Sequence, residues 1–393
     1  MIEKVMKPGW KVWRFDQIAT NVNVRIDKPS ESGMEYYVGL EHLDSDSLKI
    51  RRWGTPDDVE ATKLMFKKGD IIFGRRRAYQ RKLGVAEFDG ICSAHAMVLR
   101  AKPEVVLPEF LPFYMQSDLF MNRAVEISVG SLSPTINWKT MAMQEFALPP
   151  VDEQLRIVSA ITSFDECFEA YWALQANGGT LLQSLLDRMW RTFPKQKIGA
   201  LVDQGLIAPP QDGNHGERHP KVADYVPEGV PFVMASDLKG GQVDFTGCSK
   251  IPDSLARTLR IGFARSGDVL LSHKGTVGVV ARLRKLTTDF VMLTPQVTCY
   301  RVLNKVKLEP DWLYFAFQTP GFKRLLEQYG KQSTRAYVGI TTQRELSIPI
   351  AQAPDQQEVI TELVAAEMAI AAAGERATSF TEMRQLLLAE ALA

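Results

Sequence analysis

The sequence predicts an α+β protein in which two mixed domains follow one another in tandem and each is followed by a long helix. Three observations support this architecture. The chain has 393 residues, more than one typical core accommodates. Its second half repeats an ordered series of segments from its first half. Each half ends in a stretch whose apolar residues have the spacing of a coiled-coil helix.

The repeat is clearest at two short apolar runs. Residues 69–73 read GDIIF and residues 267–271 read GDVLL, and each run is typical of a buried strand that begins at a Gly-Asp turn. Because the offset between matching segments stays between about 195 and 203 residues, we infer a duplicated fold. The other matching pairs are YYVGLEHL (36–43) with PFVMASDL (231–238), SAHAMVLRA (93–101) with TPQVTCYRV (294–302), and FLPFYMQS (110–117) with WLYFAFQT (312–319).

The duplication divides the chain into four predicted segments. Within the mixed domains, short strands alternate with turns, and the aromatic-rich stretches 107–125 and 309–329 predict helices with their aromatic side chains inward. The predicted segments are a first mixed domain (1–150), a first long helix (151–192), a second mixed domain (193–352) and a second long helix (353–393).

The two long helices carry apolar residues at alternating spacings of four and three, the pattern of a coiled-coil seam. At 1.5 Å per residue each would be about 50–60 Å long, and we expect them to pack antiparallel as a spacer between the mixed domains. The alternative is that each helix packs on its own domain. Gly178 and Gly179 interrupt the first seam and predict a kink or a looser turn. The predicted seam residues are Ile157, Ile161, Phe164, Phe168, Tyr171, Leu182, Leu185, Met189, Leu363, Ile370, Phe380 and Leu387.

Residues that lie off this seam are candidates for a surface that docks a partner. Leu181, Leu186 and Trp190 belong to this group. Packing against the chain's own domains is the alternative for the same three side chains.

The composition is that of an ordinary globular protein, with 45% apolar and 24% charged residues. No stretch approaches the roughly 20 apolar residues of a membrane span, and the N-terminus has no apolar signal core, so we expect a cytoplasmic protein without a membrane partner.

The four cysteines are scattered and are each expected to be a small buried hydrophobic residue. The formal net charge of +1 provides no overall attraction to nucleic acid, so a DNA-binding surface must come from local clustering.

A basic loop follows the first Gly-Asp strand. Arginine side chains on such a loop can contact phosphates and guanine edges, and glutamine can pair with adenine. The alternative is a solvated loop that binds nothing. The candidate DNA-binding residues in this loop are Arg75, Arg76, Arg77, Tyr79, Gln80, Arg81 and Lys82.

The matching loop of the second copy is shorter and less basic, with His273, Lys274 and Thr276 as its candidates. Different loop chemistry on one scaffold suits two surfaces with unlike ligands, and it is also what sequence drift produces.

A polar loop lies late in each mixed domain, at equivalent positions. Hydroxyl and amide groups of this kind suit phosphates and base edges, but Ser, Thr and Asn also populate turns and helix caps. The candidates are Ser131, Ser133, Thr135 and Asn137 in the first copy and Ser333, Thr334, Arg335 and Tyr337 in the second.

Motifs of common catalytic sites do not occur in the sequence. It contains no G-x-x-x-x-G-K-[ST] phosphate loop, no H-E-x-x-H zinc motif and no Asn-Pro-Pro-aromatic signature of an amino-methyltransferase. His215 and His219 lie in a Gly- and Pro-rich stretch that argues against a helix, so a solvated loop is favoured over a metal site. Nothing in the sequence therefore calls for a catalytic site, a metal or a cofactor in this chain.

The junction between domain and helix carries a recognisable motif. Residues 147–158 read ALPPVDEQLRIV, and residues 348–360 read IPIAQAPDQQEVI, a looser version with extra residues before the Asp. Together with the duplicated Gly-Asp strands, the order of these motifs resembles the specificity (S) subunit of type I restriction–modification systems. The resemblance covers essentially the whole chain.

This resemblance implies two target recognition domains that each read one half of a split DNA sequence, related by an internal pseudo-twofold symmetry. It implies that the long helices set the gap between the half-sites and dock two methyltransferase (modification) subunits. Those partners would bind S-adenosylmethionine and methylate adenine, and a restriction subunit would use ATP with Mg²⁺. The alternatives are a coiled-coil interaction scaffold without base-specific DNA recognition, and a stand-alone enzyme with an unrecognised site.

Overall fold

The computed structural model describes residues 7–216, 219–330 and 337–392. The chain contacts divide it into two compact units. Unit 1 runs from the first described residue to Tyr171 and also includes the segment that begins at Glu375. Unit 2 comprises Trp172–Gly374. Each unit therefore contains one mixed domain and one half of each long helix, a division that differs from the four predicted segments.

Unit 1 combines a strand-rich layer with short helices. Strand β1 pairs with β10, so the first and last strands of the mixed domain lie side by side. Two four-stranded sheets have the orders β2-β9-β6-β7 and β3-β5-β8-β4. The elements are β1 (Lys11–Arg14), α1 (Phe15–Ile18), β2 (Ala19–Val22), β3 (Arg25–Ile26), β4 (Tyr37–Val38), β5 (Lys63–Phe66), β6 (Ile71–Phe73), β7 (Leu83–Val85), β8 (Gly90–Ser93), β9 (Met97–Ala101), α2 (Phe110–Gln116), α3 (Asp118–Glu126), α4 (Trp138–Ala142), β10 (Glu145–Leu148) and the first half of α5 (Val151–Thr192).

Unit 2 has the same kind of architecture. Its sheets have the orders β18-β17-β20 and β15-β12-β19-β16, with the two-stranded pairs β11-β21 and β13-β14. The elements are β11 (Lys195–Lys197), α6 (Ile198–Asp203), β12 (Val230–Val233), β13 (Leu238–Lys239), β14 (Gln242–Val243), β15 (Lys250–Ile251), α7 (Asp253–Ala256), β16 (Phe263–Ala264), β17 (Val269–Ser272), β18 (Val280–Arg282), β19 (Val291–Leu293), β20 (Val297–Tyr300), α8 (Pro310–Gln318), α9 (Pro320–Gly330), α10 (Ile340–Gln343), β21 (Ser347–Pro349) and the first part of α11 (Ala353–Leu392).

The two units repeat the same strand pairings. The antiparallel order β9-β6-β7 corresponds to β20-β17-β18. The parallel pair β4-β8 corresponds to β12-β19, and β1-β10 corresponds to β11-β21. Shared pairing partners and directions establish that the sequence repeat is a structural repeat.

The Gly-Asp turns before β6 and β17 are held by the same interaction. Asp70 is buried and accepts hydrogen bonds from Arg100 on the neighbouring strand, with N–O distances of 2.7 and 2.8 Å, and from the Lys67 backbone N–H at 2.8 Å. Asp268 is bonded in the same way by Arg301, at 2.8 and 2.6 Å, and by the backbone of Arg265. The glycines before both aspartates have φ near +90°, a conformation in which a side chain would be strained.

We predict that Asp70→Asn lowers the free energy of unfolding by about 2 kcal/mol, because a buried carboxylate with charge-assisted bonds is replaced by a neutral amide. Chemical denaturation of the purified complex or chain measures this change. The exposed Asp57→Asn is the matched control, and an equal effect of both substitutions would contradict the assignment.

The aromatic-rich helical stretches are each split into two helices by a hydroxyl residue. Ser117 ends α2 and caps α3, where its Oγ accepts the Phe120 N–H at 3.3 Å. Thr319 occupies the same place between α8 and α9 and accepts from Phe322. Such caps satisfy backbone donors that a new helix leaves free, so the chain turns where the sequence suggested one longer helix.

Each long helix is fastened to its mixed domain by a buried glutamine near its N-terminus. Gln154 accepts the Leu107 N–H and donates to the Pro149 carbonyl, both at 2.9 Å. Gln356 does the same with Glu309 at 2.9 Å and Lys307 at 2.8 Å. The motifs DEQ and DQQ therefore share a glutamine that anchors the start of each long helix to its mixed domain.

In unit 1 the two long helices run antiparallel. Phe380 contacts the rings of Phe164 and Tyr171, and Arg384 forms an ion pair with Asp165 at 2.6 Å. Ile157, Ile161 and Leu387 pack in the unit 1 core, with Leu388 and Leu392 beside them. Residues later in α11 therefore contact residues earlier in α5, as expected for an antiparallel pair. Phe168 is half-buried.

Unit 2 shows the same antiparallel arrangement. Arg188 pairs with Glu362, while Gly178 lies against Ile370. Leu182, Leu185, Met189 and Leu363 pack in the unit 2 core. The helix α5 continues through both glycines without a break, and the expected kink or looser turn stays a prediction. Gly178 allows close approach, because a Cβ there would come within 2.8 Å of Ile370.

Two of the three predicted docking residues pack against unit 2, Leu186 as a buried residue and Trp190 as a half-buried one. Leu186 is buried in the core, and the ring of Trp190 occupies the space beside Gly321. Leu181 is exposed. Cys167 is likewise exposed, contrary to expectation, while the other three cysteines are buried. Within the described ranges, every helix is too short or too polar to cross a membrane.

Candidate nucleic-acid interface

In unit 1 the basic loop and the polar loop form one surface. Arg76 and Thr135 form a β-bridge, and the Arg77 N–H donates to the Pro134 carbonyl at 2.8 Å. The Ile136 N–H donates to the Arg75 carbonyl at 3.0 Å. Two loops that are about 60 residues apart in sequence are therefore joined by their backbones.

The outward side chains of this surface are polar, basic and aromatic. Arg77 and Tyr79 are exposed, and Ser131 and Asn137 are exposed on the partner loop. Arg76 is half-buried, with its Nη1 3.3 Å from Nε2 of His95. These groups can donate to phosphates, stack on sugars or bases, and bond base edges.

Some polar side chains of the second loop also serve the loop itself. Asn137 caps α4 by accepting the Lys139 N–H at 3.1 Å, and Ser133 accepts from Nε of Arg77 at 3.3 Å. The Thr135 hydroxyl donates to the Ser133 carbonyl at 3.2 Å. Both interpretations made from the sequence, loop structure and DNA contact, are thus compatible with these positions.

Three residues of the basic loop are engaged within unit 1. Arg75 donates to the Ala94 carbonyl at 3.1 Å, and Lys82 donates to the Leu40 carbonyl at 2.7 Å. Arg81 donates to two carboxylates and a carbonyl. These three side chains are half-buried and bonded within unit 1, and DNA contact by them stays a prediction. Gln80 is half-buried in the short turn Ala78–Gln80.

Unit 2 joins its corresponding loops in the same manner. Lys274 and Tyr337 form a β-bridge, and the Val338 N–H donates to the His273 carbonyl at 3.0 Å. Lys274 and Thr276 are exposed, and 42% of the Tyr337 side chain is accessible. The remaining candidates of this polar loop, Ser333, Thr334 and Arg335, lie outside the described residues.

His273 is a correction to the predicted set, because it is fully buried and does not reach the surface. Its Nδ1 is 2.8 Å from the hydroxyl of Thr298, which also accepts from Nε2 of Gln343 at 3.0 Å. Gln343 donates to the Val338 carbonyl at 2.8 Å and accepts from the Tyr300 hydroxyl. His273 therefore belongs to a buried network beneath the loop and not to its exposed face.

Burial lowers the pKa of His273 from 6.5 to about 4, against the opposing attraction of Asp212, whose Oδ2 is 3.8 Å from His273 Nε2. In the unfolded chain the imidazole takes up its proton near pH 6.5, whereas the folded chain resists protonation until about pH 4. Stability from this group is therefore present above the ordinary pKa and lost as the pH falls towards 4.

We predict that the free energy of unfolding decreases between about pH 6.5 and pH 4, by up to about 3 kcal/mol from His273 alone. In His273→Asn this part of the pH dependence should disappear. Denaturant titrations at several pH values compare the two proteins, and identical pH profiles would contradict the assignment.

Sequence reasoning missed the residues that support these loops. Asp46, Asp118 and Gln116 surround Arg81, while Thr298 and Gln343 surround His273. No local sequence pattern predicts these contacts, because the bonded residues lie 25 to 45 positions apart in the sequence and meet only in the folded chain. The repeat was the one available signal, since it marked both loops as equivalent.

The histidine pair of the Gly- and Pro-rich stretch is bonded to its own loop. Nε2 of His215 is 2.9 Å from Asp212, and Nδ1 of His219 is 3.2 Å from the Asn214 carbonyl. Among the described residues, no group of three or more His, Cys, Asp or Glu side chains is arranged to hold a metal ion.

A family model described as the type I restriction modification DNA specificity domain matches residues 44–171. That stretch of the chain is therefore similar to type I specificity domains. The match contains both loops of the unit 1 interface and the first half of α5. It confirms the resemblance inferred from the sequence.

A curated relative supports the same resemblance. The specificity subunit of the type I restriction enzyme EcoDI from Escherichia coli is 29% identical over 155 residues, which are 39% of this chain. The aligned stretch spans about a third of that relative, 34% of its length.

Two solved structures share the fold over nearly the whole chain. A chain from a structure of the type I R-M system aligns with a TM-score of 0.60 and 20% identity, covering 98% of both chains. The type I restriction–modification S subunit from M. genitalium aligns with a TM-score of 0.63 and 13% identity, covering 100% of this chain and 98% of its own. The mixed helix-and-strand fold of this chain is thus the fold that these two chains share.

Proposed function

We propose that this chain is the DNA-reading subunit of a type I restriction–modification complex. It recognises a bipartite target and positions methyltransferase subunits on it, together with restriction subunits where the system has them. Methyl transfer to adenine, with S-adenosylmethionine, takes place on the partners, as does any use of ATP and Mg²⁺. The chain itself serves as a non-catalytic reader.

The observation that carries this proposal is one loop arrangement built twice with different side chains. The bridge between Arg76 and Thr135 in unit 1 corresponds to the bridge between Lys274 and Tyr337 in unit 2. A common scaffold with unlike exposed groups suits two half-sites of different sequence. The specificity-domain match over residues 44–171 includes the unit 1 version of this surface.

Genome-wide mapping of N6-methyladenine tests the proposal. We expect a split methylated motif in cells that express this chain with its neighbouring methyltransferase genes, and loss of that motif when only this chain is deleted. Identical maps, with the methyltransferase shown to be active, would contradict the proposal and favour a scaffold without base recognition.

The long helices are proposed to set the gap between the half-sites. Each is continuous over about 40 residues, and within each unit the two helices pack antiparallel. A helix pair of this kind is stiff along its axis, so its length can translate into a fixed number of base pairs. The exposed Leu181 remains a candidate contact for a modification subunit.

We predict that a heptad inserted near Gln175 in α5, together with one near the facing Gly374 in α11, lengthens the gap by about three base pairs. Seven residues add about 10 Å of helix, and DNA rises about 3.4 Å per base pair. Methylome mapping should show the same half-sites with the longer gap.

A heptad in only one helix is the control, because it places the facing residues out of register and should abolish specific methylation. An unaltered gap in the doubly extended protein would show that the helices are not the spacer.

A further inference from the structure

The turn between β6 and β7 contains an unusual backbone. Among the described residues, the non-glycine residues with positive φ are Asp46, Arg77 and Arg81, with values between 53° and 58°. Arg77 and Arg81 flank the short turn Ala78–Gln80, and Asp46 contacts Arg81. Left-handed backbone costs a residue with a side chain roughly 1–2 kcal/mol, so this strain must be held by surrounding contacts.

The guanidinium of Arg81 supplies much of that restraint. Its Nε donates to Asp46 at 2.5 Å, its Nη1 donates to Asp118 at 2.9 Å, and its Nη2 donates to the Gln116 carbonyl. Three nitrogens thus bind three acceptors, one on the segment at Asp46 and two at the junction between α2 and α3. A planar guanidinium with several fixed donors suits this role, whereas a lysine ammonium would not span the same acceptors.

Further contacts hold the same turn from the neighbouring chain segment. The hydroxyl of Ser45 donates to the Gln80 carbonyl at 2.7 Å, and the Asp46 N–H donates to the Arg81 carbonyl at 3.3 Å. Ala78 is buried beneath the turn. The backbone on both sides of Tyr79 is therefore fixed.

The clamp also connects the turn with the long helices of unit 1. The side-chain oxygen of Gln116 accepts from Arg384 on α11 at 2.5 Å, and Arg384 pairs with Asp165 on α5 at 2.6 Å. Through Gln116 and Arg384, the turn is therefore held in a fixed position relative to the helix pair of unit 1.

We propose that Arg81 is a positioning residue that holds the turn Ala78–Gln80 so that Tyr79 and Gln80 read bases of one half-site. Tyr79 is 55% exposed at the centre of the clamped turn, and Gln80 follows it. Arg77, which is exposed beside them, contacts phosphate. This inference rests on the proposed DNA-reading function. It assigns base contact to Tyr79 and Gln80 and the positioning of the turn to Arg81.

The alternative role for Arg81 is direct contact with phosphate, and the two roles predict opposite effects of removing Asp46. If Arg81 bound phosphate, Asp46 would compete for it, and Asp46→Asn would strengthen DNA binding by removing a negative charge. If Arg81 is a clamp, Asp46→Asn loosens the turn and weakens binding to the specific target.

The test measures DNA binding by the assembled complex over a range of salt concentrations, with oligonucleotides that carry the mapped target or a change in one half-site. Arg77→Ala should reduce the slope of log affinity against log salt by about 0.9, the value for one lost phosphate contact. Arg81→Ala and Asp46→Asn should each weaken target binding at least tenfold and leave that slope unchanged.

Specificity provides the second readout. In the Arg81 and Asp46 variants, discrimination should be lost at one half-site and kept at the other, as it should in Tyr79→Ala. The intact half-site is an internal control for folding. Should Arg81→Ala fail to fold, Asp118→Ala removes one acceptor at an exposed position and tests the same clamp.

Each contrary outcome has a distinct meaning. A reduced salt slope in Arg81→Ala, or tighter binding by Asp46→Asn, would overturn the positioning role. Equal loss at both half-sites would also overturn it. Absence of specific DNA binding by the wild-type complex would instead refute the proposed function itself.

Discussion

The structure depends on a buried carboxylate that ends a turn and begins a strand. A buried charge is unfavourable unless charged and backbone donors surround it, and Asp70 receives both from Arg100 and from its own turn. Because Arg100 lies on β9, the interaction joins β6 to its neighbour at one end. The strand β6 is three residues long, and the basic loop begins two residues after its end, at Arg75. Asp268 and Arg301 repeat this arrangement in unit 2.

A second polar anchor determines where the long helices start. Gln154 and Gln356 are buried, and each bonds backbone groups of its mixed domain with both ends of its amide. The start of each helix is therefore fixed relative to the loops of its own unit. The side chains of the basic and polar loops take part in neither the Asp–Arg pairs nor the glutamine anchors. They can therefore differ between the two copies without loss of these anchors.

The pairing of the two loops of the candidate interface was predictable from the repeat, but the exposure of their side chains was not. The repeat identified both loops after the Gly-Asp strands, and both proved to be bridged to the predicted polar loops. Neighbouring arginines nevertheless have different roles: Arg77 is exposed, whereas Arg81 is bound to Asp46 and Asp118. His273 stands at the position of Arg75 and is buried. Alternation between exposure and burial in an irregular turn follows from its dihedral angles, which residue types alone do not reveal.

The sequence by itself determined the duplicated fold, the Gly-Asp strands and the extent of the two long helices, because each depends on local patterns of apolar spacing and turn residues. It also determined the family resemblance, which depends on the order of short motifs. Only the tertiary structure decided that Gly178 permits close helix packing, that Leu186 is a core residue and that Arg81 bonds to carboxylates of its own unit. Those roles depend on partners distant in sequence, and a side chain acquires its role from the neighbours that the fold places around it.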